Sequence, residues 1–554
     1  MELNVAARLK TVASLMPSAV AIAEPNGPVQ SDGLRSYRAM TFQELDRRSD
    51  SIAKGLLAWG VKPGMRLVML VPFGGQFIEL VFGLLKAGVI VVLIDPGMGR
   101  KHLVRCLAES NPDGFVGIPK AQAIRCVLRR RFPRAVWNVT VGRRWFWGGK
   151  TLKQIIESAQ SVKLDASIVS RTMKDPAAII FTTGSTGPPK GVLYTHGTFH
   201  SQIDRIRERY DIHRGSKDLA CFPLFGLFDA VMGVTTVIPD MDPTRPADVN
   251  PQRLVEAASQ WEIDQAFGSP ALWNRVVRWA ESEGVERPFP TLKRVLSAGA
   301  PVPASTLQRL RGLVHEEADI VTPYGATEAL PLASIESREV IAETGPASVK
   351  GKGTCVGSRF EGVQWRVIEI SDDPINDLCE TVECERGKIG ELLVTGPMVT
   401  REYVVRADQN KVHKVTDGDR VWHRMGDVGY LDSRDRFWFC GRKAHRVTTS
   451  DRTLFTIPCE AIFNSHPKVY RSALIGIGEK GKQSPLVLVE LLPDFLAIND
   501  LQREELTKEL LDLASRNPQT RRIERVVVRK DPLPVDIRHN SKIFREQLAA
   551  EYSA

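Results

Sequence analysis

The stretch AIIFTTGSTGPPKGVLYTH, residues 178–196, decides how the rest of the chain is interpreted. Ala177–Phe181 is an apolar run that predicts a buried strand, and Gly191–Tyr194 predicts the strand that returns. The loop between them offers backbone N–H groups, hydroxyls and a lysine, which together suit the oxygens of a polyphosphate. The candidate phosphate-binding residues are Thr182, Thr183, Gly184, Ser185, Thr186, Gly187 and Lys190.

This loop is not the Walker motif of P-loop ATPases, because Lys190 follows prolines and no Gly-Lys-Ser or Gly-Lys-Thr occurs there. A plain glycine-rich hairpin turn explains the glycines, but it leaves the hydroxyls and the lysine unexplained. Taken alone, the loop therefore favours phosphate binding without establishing it.

The chain is long and basic. Its 554 residues exceed what one core can organise, so at least two domains are expected. Lys and Arg number 75 against 65 Asp and Glu, a formal charge of +10, and the excess is most concentrated in Arg125–Lys150. Arginine alternates there with tryptophan and phenylalanine, which fits nucleic acid, an anionic membrane surface or an acidic partner. A solvated edge with a few buried aromatic residues is the simpler explanation.

Cysteine usage and apolar runs indicate a cytoplasmic protein without a membrane span. The eight cysteines form no C-x-x-C pair and lack a histidine cluster, so free thiols in a reducing compartment are expected and a zinc site is not. The first residues, MELNVAARLK, lack the apolar run of a signal peptide. The longest apolar tract, Ile78–Ile94, is interrupted by Glu79, Lys86 and Gly88 and is not expected to span a bilayer.

Strand and helix signals alternate through the first part of the chain, which predicts an α/β fold whose parallel-rich sheets are layered with helices. The last strand predicted in this series is Asp319–Thr322. Short strands then follow between about residues 355 and 441, among them Val421–Trp422 and Tyr430–Asp432, and predict a β-rich subdomain. The expected organisation is a large N-terminal domain of residues 1–441 and a small α+β C-terminal domain of residues 442–554.

Further short motifs follow the loop in a fixed order. They are SAGAP (297–301), YGATE (324–328), GDVGYLD (426–432), GR (441–442) and HNSKIFR (539–545). Together they resemble the adenylate-forming superfamily of acyl-CoA synthetases, luciferases and peptide-synthetase adenylation domains. The resemblance extends from about Ala13 to Leu548 and implies an ATP- and acyl-binding N-terminal domain followed by a mobile C-terminal one.

The resemblance implies that a carboxylate attacks the α-phosphorus of ATP and yields an acyl-adenylate and pyrophosphate. In that chemistry Thr327 donates to the α-phosphate, and Glu328 ligates Mg²⁺, a hard cation that prefers carboxylate and phosphate oxygens. Lys542 neutralises charge that develops between the carboxylate and the phosphate. The implied catalytic residues are thus Lys542, Thr327 and Glu328, and the implied metal ligand is Glu328.

The same resemblance implies the nucleoside contacts. Tyr324 offers an aromatic face to adenine, and Asp427 and Arg442 bind the ribose hydroxyls. The remaining residues implied at the base are Gly299, Ala300 and Gly325. Taken singly, these residues have ordinary structural explanations as core, turn or surface positions, and the ordered set carries the interpretation.

Several positions depart from the pattern of CoA ligases. Ala444 occupies the family's hinge position, usually Asp or Lys, and Thr448–Thr453 replaces a glycine-containing loop beside the pantetheine tunnel. Gly226 stands where the family's Pro-Leu-Phe-His stretch has its histidine, and Ser541 replaces the glycine before Lys542. The adenylation residues are therefore retained and the thiolation residues altered, although ordinary drift within a ligase also explains the changes.

A narrower resemblance links three stretches to the β-lactone synthetases of bacterial long-chain olefin biosynthesis. They are Val92–Leu107, Phe222–Asp229 and Val535–Leu548. It implies a 2-alkyl-3-hydroxy fatty acid whose own hydroxyl closes a β-lactone, and a multienzyme assembly with a reductase and an α/β-hydrolase-like decarboxylase. A long-chain fatty acyl-CoA synthetase is the alternative, and an acyl-binding scaffold a further one. Neither nucleic acid nor a transmembrane segment is expected.

Overall fold

Two large sheets and a smaller β-rich sheet form the main body of the molecule. The structure, a computed structural model, describes residues 3–30, 34–95, 98–160, 168–182, 188–222, 225–536 and 542–553, with the backbone alone at residues 100 and 101. No helix among these described residues is long and apolar enough to cross a membrane.

The strands before residue 340 build the two large sheets. In chain order they are β1 (Val20–Val29), β2 (Arg35–Thr41), β3 (Arg66–Leu70), β4 (Ile90–Leu93), β5 (Gly114–Gly117), β6 (Trp137–Thr140), β7 (Lys150–Thr151), β8 (Pro176–Phe181), β9 (Gly191–Thr195), β10 (Lys217–Ala220), β11 (Thr235–Val237), β12 (Gln265–Gly268), β13 (Arg294–Ser297), β14 (Asp319–Ala326) and β15 (Ala329–Glu336).

Later strands extend these sheets and form the smaller ones. They are β16 (Thr354–Cys355), β17 (Ser358–Arg359), β18 (Gln364–Ile368), β19 (Gly390–Thr395), β20 (Tyr403–Val405), β21 (Lys414–Asp417), β22 (Arg420–Leu431), β23 (Phe437–Arg442), β24 (Val447–Thr448), β25 (Thr453–Leu454), β26 (Val469–Ile477), β27 (Ser484–Leu491) and β28 (Val526–Val528).

The helices cover the sheets. They are α1 (Ala7–Leu15), α2 (Phe42–Trp59), α3 (Gly75–Lys86), α4 (Arg100–Glu109), α5 (Pro119–Val127), α6 (Leu152–Gln160), α7 (His196–Arg209), α8 (Phe225–Met232), α9 (Pro251–Trp261), α10 (Pro270–Glu283), α11 (Ala304–Arg311), α12 (Ser337–Glu339), α13 (Gly345–Ala347), α14 (Asn410–His413), α15 (Thr456–Asn464), α16 (Asp500–Ser515) and α17 (Arg545–Ser553). Helix α2 shows how sequence sets such bounds: Thr41 and Glu44 form a capping box, and Gly60 ends the helix with a left-handed backbone.

Sheet topology confirms the predicted α/β fold. One sheet has the order β17-β15-β14-β13-β12-β10-β11-β1-β2, and the other the order β20-β9-β8-β4-β3-β5-β6-β7. The strands from β1 through β14 of the first sheet and from β8 through β7 of the second pair in parallel. Buried residues of α2, α3 and both sheets share one apolar core that also reaches the β-rich sheet.

The β-rich sheet has the order β16-β23-β22-β19-β18, with β21 paired to β22. After Gly441, described apolar side chains form two clusters that draw on residues 447–552 alone, around the sheet β26-β27-β28. This packing is compatible with the domain division expected at residue 441, which stays a prediction.

Two predicted strand boundaries are wrong, and both matter for the site. The strand predicted at Asp319–Thr322 continues to Ala326 and pairs with β15, so Tyr324 lies within a hairpin rather than after a strand. The two short strands predicted at Val421–Trp422 and Tyr430–Asp432 are one strand, β22, whose centre contains Asp427. Cross-strand pairing overrides the glycines that interrupt both sequences.

Candidate active site

Tyr324, Asp427 and Arg442 form one polar cluster, called here the Asp427 cluster. Strands β22 and β23 pair in a register that places Asp427 directly opposite Arg442, and Arg442 Nη1 lies 2.9 Å from Asp427 Oδ1. The Tyr324 hydroxyl donates a hydrogen bond to Asp427 Oδ2. Burial raises the pKa of Asp427 while Arg442 opposes the shift, and the Asp427 carboxylate raises the pKa of Arg442. The charges are thus matched within the cluster.

Glycines next to residues of this cluster allow close backbone approaches to neighbouring elements. Gly441, next to Arg442, has φ +131°, and a Cβ there would lie 2.3 Å from the Thr456 hydroxyl oxygen. At Gly325, a Cβ would lie 2.7 Å from the carbonyl oxygen of Ala329 across the β14–β15 hairpin. Gly299, after β13, also has a positive φ of 105° and is exposed beside the half-buried Ala300.

Thr327 and Glu328 form the turn between β14 and β15, and hydrogen bonds fix it from two sides. The Tyr194 hydroxyl donates to the carbonyl oxygen of Thr327 at 2.5 Å. The backbone N–H and the hydroxyl of Thr400 both donate to the carbonyl oxygen of Glu328 at 2.9 Å. The Glu328 side chain is buried, and its Oε1 accepts a hydrogen bond of 2.6 Å from the Tyr403 hydroxyl.

A second polar cluster surrounds this carboxylate and is called here the Glu328 cluster. Its members are Lys190, Glu328, Tyr403, His413 and Lys414. Nζ of Lys190 lies 5.0 Å from the centre of the Tyr403 ring and 3.0 Å from Nε2 of His413. Nζ of Lys414 lies 5.4 Å from the same ring and donates to the carbonyl oxygen of Thr400 at 2.5 Å. Two lysines therefore approach one aromatic ring beside a single carboxylate.

The cations of the Glu328 cluster are held in poorly solvated surroundings. Burial lowers the pKa of Lys190 and brings that of Lys414 to about 7, although Glu328 opposes both shifts. Burial and Lys190 lower the pKa of His413 to about 3, so its neutral ring accepts a hydrogen bond from Lys190. The neighbouring His423 donates through Nδ1 to the carbonyl oxygen of His413 at 3.1 Å, and its pKa is also lowered by burial.

The sequence did not point to Tyr403, His413, Lys414 or His423. They belong to β20, α14, β21 and β22, and no motif joins them. The pairing of β21 with β22 places Lys414 opposite His423, a relation that sequence spacing does not reveal. Their one recognisable signal is the density of histidine and lysine in residues 411–423.

The phosphate loop predicted from sequence is described at its ends. The backbone N–H of Thr182 donates to the carbonyl oxygen of Lys190 at 3.0 Å, and the N–H of Lys190 donates to the Thr182 hydroxyl at 3.3 Å. These bonds join the two ends of the loop, and the side chain of Lys190 belongs to the Glu328 cluster. Five predicted residues lie outside the described part of the chain: Thr183, Gly184, Ser185, Thr186 and Gly187.

Lys542 lies in the C-terminal part of the chain. Its backbone N–H donates to Asp536 Oδ1 at 2.9 Å, and its carbonyl oxygen accepts from the N–H of Asp536 at 3.1 Å. The hydrogen bonds described for the Asp427 and Glu328 clusters do not include it. The structure thus brings Tyr324, Asp427 and Arg442 together and places Lys190 beside Glu328.

Three departures from the CoA-ligase pattern have clear local structures. Gly226 lies in α8, where a Cβ would stand 3.0 Å from Thr236 Cγ2 and 3.3 Å from the Phe73 ring, so neighbours fill the space of a larger side chain. Thr448–Thr453 forms the tight hairpin of β24 and β25, in which the Thr449 hydroxyl bonds to Asp451 and to Arg452. Ala444 lies exposed in a 3₁₀ turn before this hairpin.

The Asp427 cluster holds a buried carboxylate with an arginine and a tyrosine, and the Glu328 cluster holds a second carboxylate with two lysines. These groups suit a polar ligand that carries several negative charges. Together with the fold, this arrangement defines a nucleotide-binding enzyme. Residues 11–404 match the family described as AMP-binding enzyme, and the chain belongs to that family.

Individual relatives are similar to this chain over nearly its full length. The chain is 42% identical over 552 residues to the protein named olefin beta-lactone synthetase from Xanthomonas campestris pv. campestris, which covers 99% of this chain and 97% of that protein. A protein of the same name from Stenotrophomonas maltophilia is also 42% identical, over 100% of this chain and 98% of its own. The ATP-bound structure of MatB from Rhodopseudomonas palustris superposes with a TM-score of 0.77 at 19% identity, covering 100% of this chain and 99% of that one, and supports the fold.

Proposed function

We propose that this chain uses ATP to convert a long-chain 2-alkyl-3-hydroxy fatty acid into a β-lactone, in the biosynthesis of long-chain olefins. The observation that carries this proposal is the 42% identity over nearly full length to two proteins named olefin beta-lactone synthetase. First, a carboxylate oxygen attacks the α-phosphorus of ATP and the bond to pyrophosphate breaks. Then the β-hydroxyl oxygen attacks the acyl carbon, the bond to AMP breaks, and the hydroxyl proton passes to solvent.

The Asp427 cluster suits the nucleoside. Asp427 Oδ2 accepts a hydrogen bond from Tyr324, whereas Oδ1 forms an ion pair with Arg442 but accepts no hydrogen bond from the described residues. A carboxylate has about four acceptor positions, so the ribose hydroxyls can donate to it. In the proposal Arg442 also binds the ribose, and the Tyr324 ring faces adenine. The backbone at Gly299, Ala300 and Gly325 completes the surroundings of the base.

The Glu328 cluster suits the triphosphate. Lys190, at the end of the phosphate loop, supplies charge to the β- and γ-phosphates, and the Thr327 hydroxyl donates to the α-phosphate. Glu328 fits Mg²⁺, because Oε1 accepts from Tyr403 while no hydrogen bond described here engages Oε2. In the proposal the ion is held by this one carboxylate together with phosphate oxygens. Bound there, Mg²⁺ would neutralise charge on the phosphates.

Lys542 completes the proposed catalytic set. Residues 442–554 form the proposed mobile C-terminal domain, which delivers the Lys542 ammonium to the developing negative charge between the carboxylate and the α-phosphate. A preorganised cation at that point stabilises the transition state more than either ground state.

The second step needs no CoA because the nucleophile belongs to the substrate. Holding the hydroxyl beside its own activated carbonyl gives it a high effective concentration, which offsets part of the strain of a four-membered ring. The filled space at Gly226 and the tight Thr448–Thr453 hairpin are compatible with a site that has lost the features used for thiol transfer.

The proposed setting is cytoplasmic. All eight cysteines are free thiols, as expected of a protein in a reducing compartment. The proposed partners are a reductase that supplies the β-hydroxy acid and an α/β-hydrolase-like decarboxylase that consumes the β-lactone.

The test is product analysis by mass spectrometry. The enzyme receives Mg·ATP with a long-chain 2-alkyl-3-hydroxy acid, in parallel reactions with and without CoA. We expect AMP, pyrophosphate and β-lactone to form at equal rates in both. The matched control is the same acid without the 3-hydroxyl, which can be adenylated but cannot cyclise. An acyl-CoA thioester formed at the rate of ATP consumption would contradict the proposal.

A further inference from the structure

The net positive charge of the chain is concentrated in residues 114–156, called here the basic segment. This segment contains ten Lys and Arg residues and no Asp or Glu, whereas the whole chain carries a formal charge of +10. The rest of the chain is therefore neutral overall. The segment comprises β5, α5, β6, β7 and the start of α6, and it forms one end of the eight-stranded sheet.

Large apolar side chains are exposed in the same segment. Among them, Val127 is 83% exposed, Trp145 64% and Phe146 78%. Ile124 and Val136 are exposed as well. Exposed apolar residues and cations thus occur in the same segment, a combination that a purely solvated charged edge does not require.

Helix α5 presents part of this surface. Its inner face includes Gln122, which is buried and donates to the carbonyl oxygens of Phe115 and Val139 at 3.1 and 2.9 Å. Lys120, Ile124 and Val127, spaced by four and three residues, share the opposite, exposed face. The exposed residues 129–131, all arginine, follow in a 3₁₀ turn.

The loop between β6 and β7 adds the aromatic residues. It lies at the start of α5, because a Cβ on Gly142 would be 3.7 Å from the Pro119 ring. Trp147 is buried and donates through Nε1 to the Thr140 hydroxyl at 2.9 Å. Trp145 and Phe146 pack against Trp147 with ring centres 6.0 and 5.2 Å apart, so a buried anchor holds the two exposed rings in place.

Most of the charge is not neutralised within the described protein. Arg134 pairs with Asp113 at 2.6 Å, and Lys153 pairs with Glu157 at 3.8 Å. No acidic side chain of the described residues forms an ion pair with Arg143 or with the three arginines at 129–131. These guanidinium groups are available to an anionic partner.

We propose that the basic segment docks on the surface of an anionic lipid bilayer. Tryptophan and phenylalanine partition to the boundary between headgroups and acyl chains, and arginines attract anionic headgroups. A nucleic acid would also attract the arginines, but it offers no apolar layer to Ile124 and Val127 on the outward face of α5. The basic segment contains no residue of the Asp427 or Glu328 cluster, and β6 and β7 lie at the opposite end of the sheet from β9 and β20. The inference does not depend on the proposed reaction.

The experiment is co-sedimentation of the full chain with vesicles of phosphatidylcholine, alone or mixed with phosphatidylglycerol. We expect binding to the anionic vesicles and its loss as salt is raised. R129Q/R130Q/R131Q should weaken binding about a hundredfold, because each basic residue near an anionic surface strengthens it roughly fivefold. W145S/F146S should weaken it about tenfold and keep the salt dependence, since the charges remain.

Matched controls distinguish this surface from charge or apolarity in general. R521Q/R522Q/R525Q removes three exposed arginines from the C-terminal part, and L496S/L501S removes two exposed apolar side chains. Both controls should sediment like the unaltered chain, and ATP–pyrophosphate exchange should be unchanged in all variants. Absence of binding to anionic vesicles at low salt, or an equal loss in the controls, would overturn the proposal. Retention by nucleic acid or an acidic polypeptide without vesicle binding would likewise replace the bilayer as the partner.

Discussion

The Asp427 and Glu328 clusters are both buried and polar, but their charges are balanced differently. In the Asp427 cluster one carboxylate meets one guanidinium at 2.9 Å, and a phenol completes the set. In the Glu328 cluster one buried carboxylate stands beside two lysines, the exposed Glu402 is a further negative charge that acts on Lys414, and the nearby imidazoles stay neutral. In the Asp427 cluster the negative and positive charges are equal in number. In the Glu328 cluster the two lysines can carry more positive charge than the buried carboxylate neutralises.

This difference indicates what each cluster binds. Buried unmatched charge is unfavourable, and the depressed pKa values of Lys190 and Lys414 express that cost. A polyphosphate would supply the missing negative charge at the Glu328 cluster. At the Asp427 cluster the charges already balance, so a neutral group such as a sugar hydroxyl is the better match. The comparison therefore supports the proposed orientation of ATP, with ribose at Asp427 and phosphates at Glu328.

The largest effect is expected from Lys542→Ala, which leaves both clusters intact. Because Lys542 is proposed to act as the transition state forms, adenylation should slow by roughly 100-fold or more, about 3 kcal/mol, while ATP affinity stays nearly unchanged. ATP–pyrophosphate exchange measures the first quantity and calorimetry the second. Lys530→Ala, which removes a lysine ion-paired to Asp500 in the same part of the chain, is the control. Near-normal exchange in the Lys542 variant would exclude the assigned role.

Asp427→Ala breaks the complete cluster and should weaken ATP binding. Loss of a charged acceptor for two hydroxyls costs about 1.5–3 kcal/mol, or roughly 10- to 100-fold in affinity. Asp427→Asn keeps the shape and one acceptor oxygen, so its loss should be intermediate. Asp419→Ala, at an exposed position in the turn between β21 and β22, is the control. Unchanged nucleotide affinity in a folded Asp427 variant would show that the residue has a purely structural role.

The sequence predicted the Asp427 cluster better than the Glu328 cluster, and the reason is physical. Tyr324, Asp427 and Arg442 each lie within a short motif that contains a glycine at a close approach, Gly325 to β15 and Gly441 to Thr456 of α15. The Glu328 cluster depends on long-range contacts instead. Tyr403 and Glu328 are 75 residues apart in sequence, and Lys190 and His413 are 223 residues apart, so no local sequence pattern predicts these contacts.

The same reasoning explains the errors in the fold. Parallel strands such as Ala177–Phe181 were predictable because burial on both faces makes them continuously apolar. Strand β22 is half polar and interrupted by glycine, so its middle gave no strand signal although it pairs on both sides. Functional residues accumulate in such places, since a buried polar side chain breaks the apolar pattern by which strands are found.

Tyr403→Phe tests the Glu328 cluster with a smaller change. The Tyr403 hydroxyl donates to Glu328 Oε1 at 2.6 Å, and its loss leaves that carboxylate without its described side-chain partner. We expect the concentration of Mg·ATP at half-maximal exchange to change about fivefold, corresponding to about 1 kcal/mol for one hydrogen bond. Tyr430→Phe removes a hydroxyl that donates to the Lys352 carbonyl oxygen at the surface, and it should have no effect. Equal behaviour of the two variants would contradict a role for Tyr403 in orienting Glu328.

The smallest expected effect is proton uptake on ATP binding. It is also the most direct test of the difference in charge balance between the Asp427 and Glu328 clusters. The pKa of Lys414 is lowered to about 7 by burial, so at pH 8 its amine is mostly neutral in the free protein. A triphosphate placed beside it favours the charged form and raises this pKa, so up to about one proton should be taken from the buffer per ATP bound at pH 8. At pH 6 the amine is already protonated and the uptake should fall. Calorimetry in two buffers of different ionisation enthalpy measures the uptake. Lys414→Met, which is one atom shorter and removes the charge, should abolish this contribution. Binding without any dependence on the buffer at pH 8 would mean that the cations of the Glu328 cluster are already matched, and the contrast with the Asp427 cluster would then be lost.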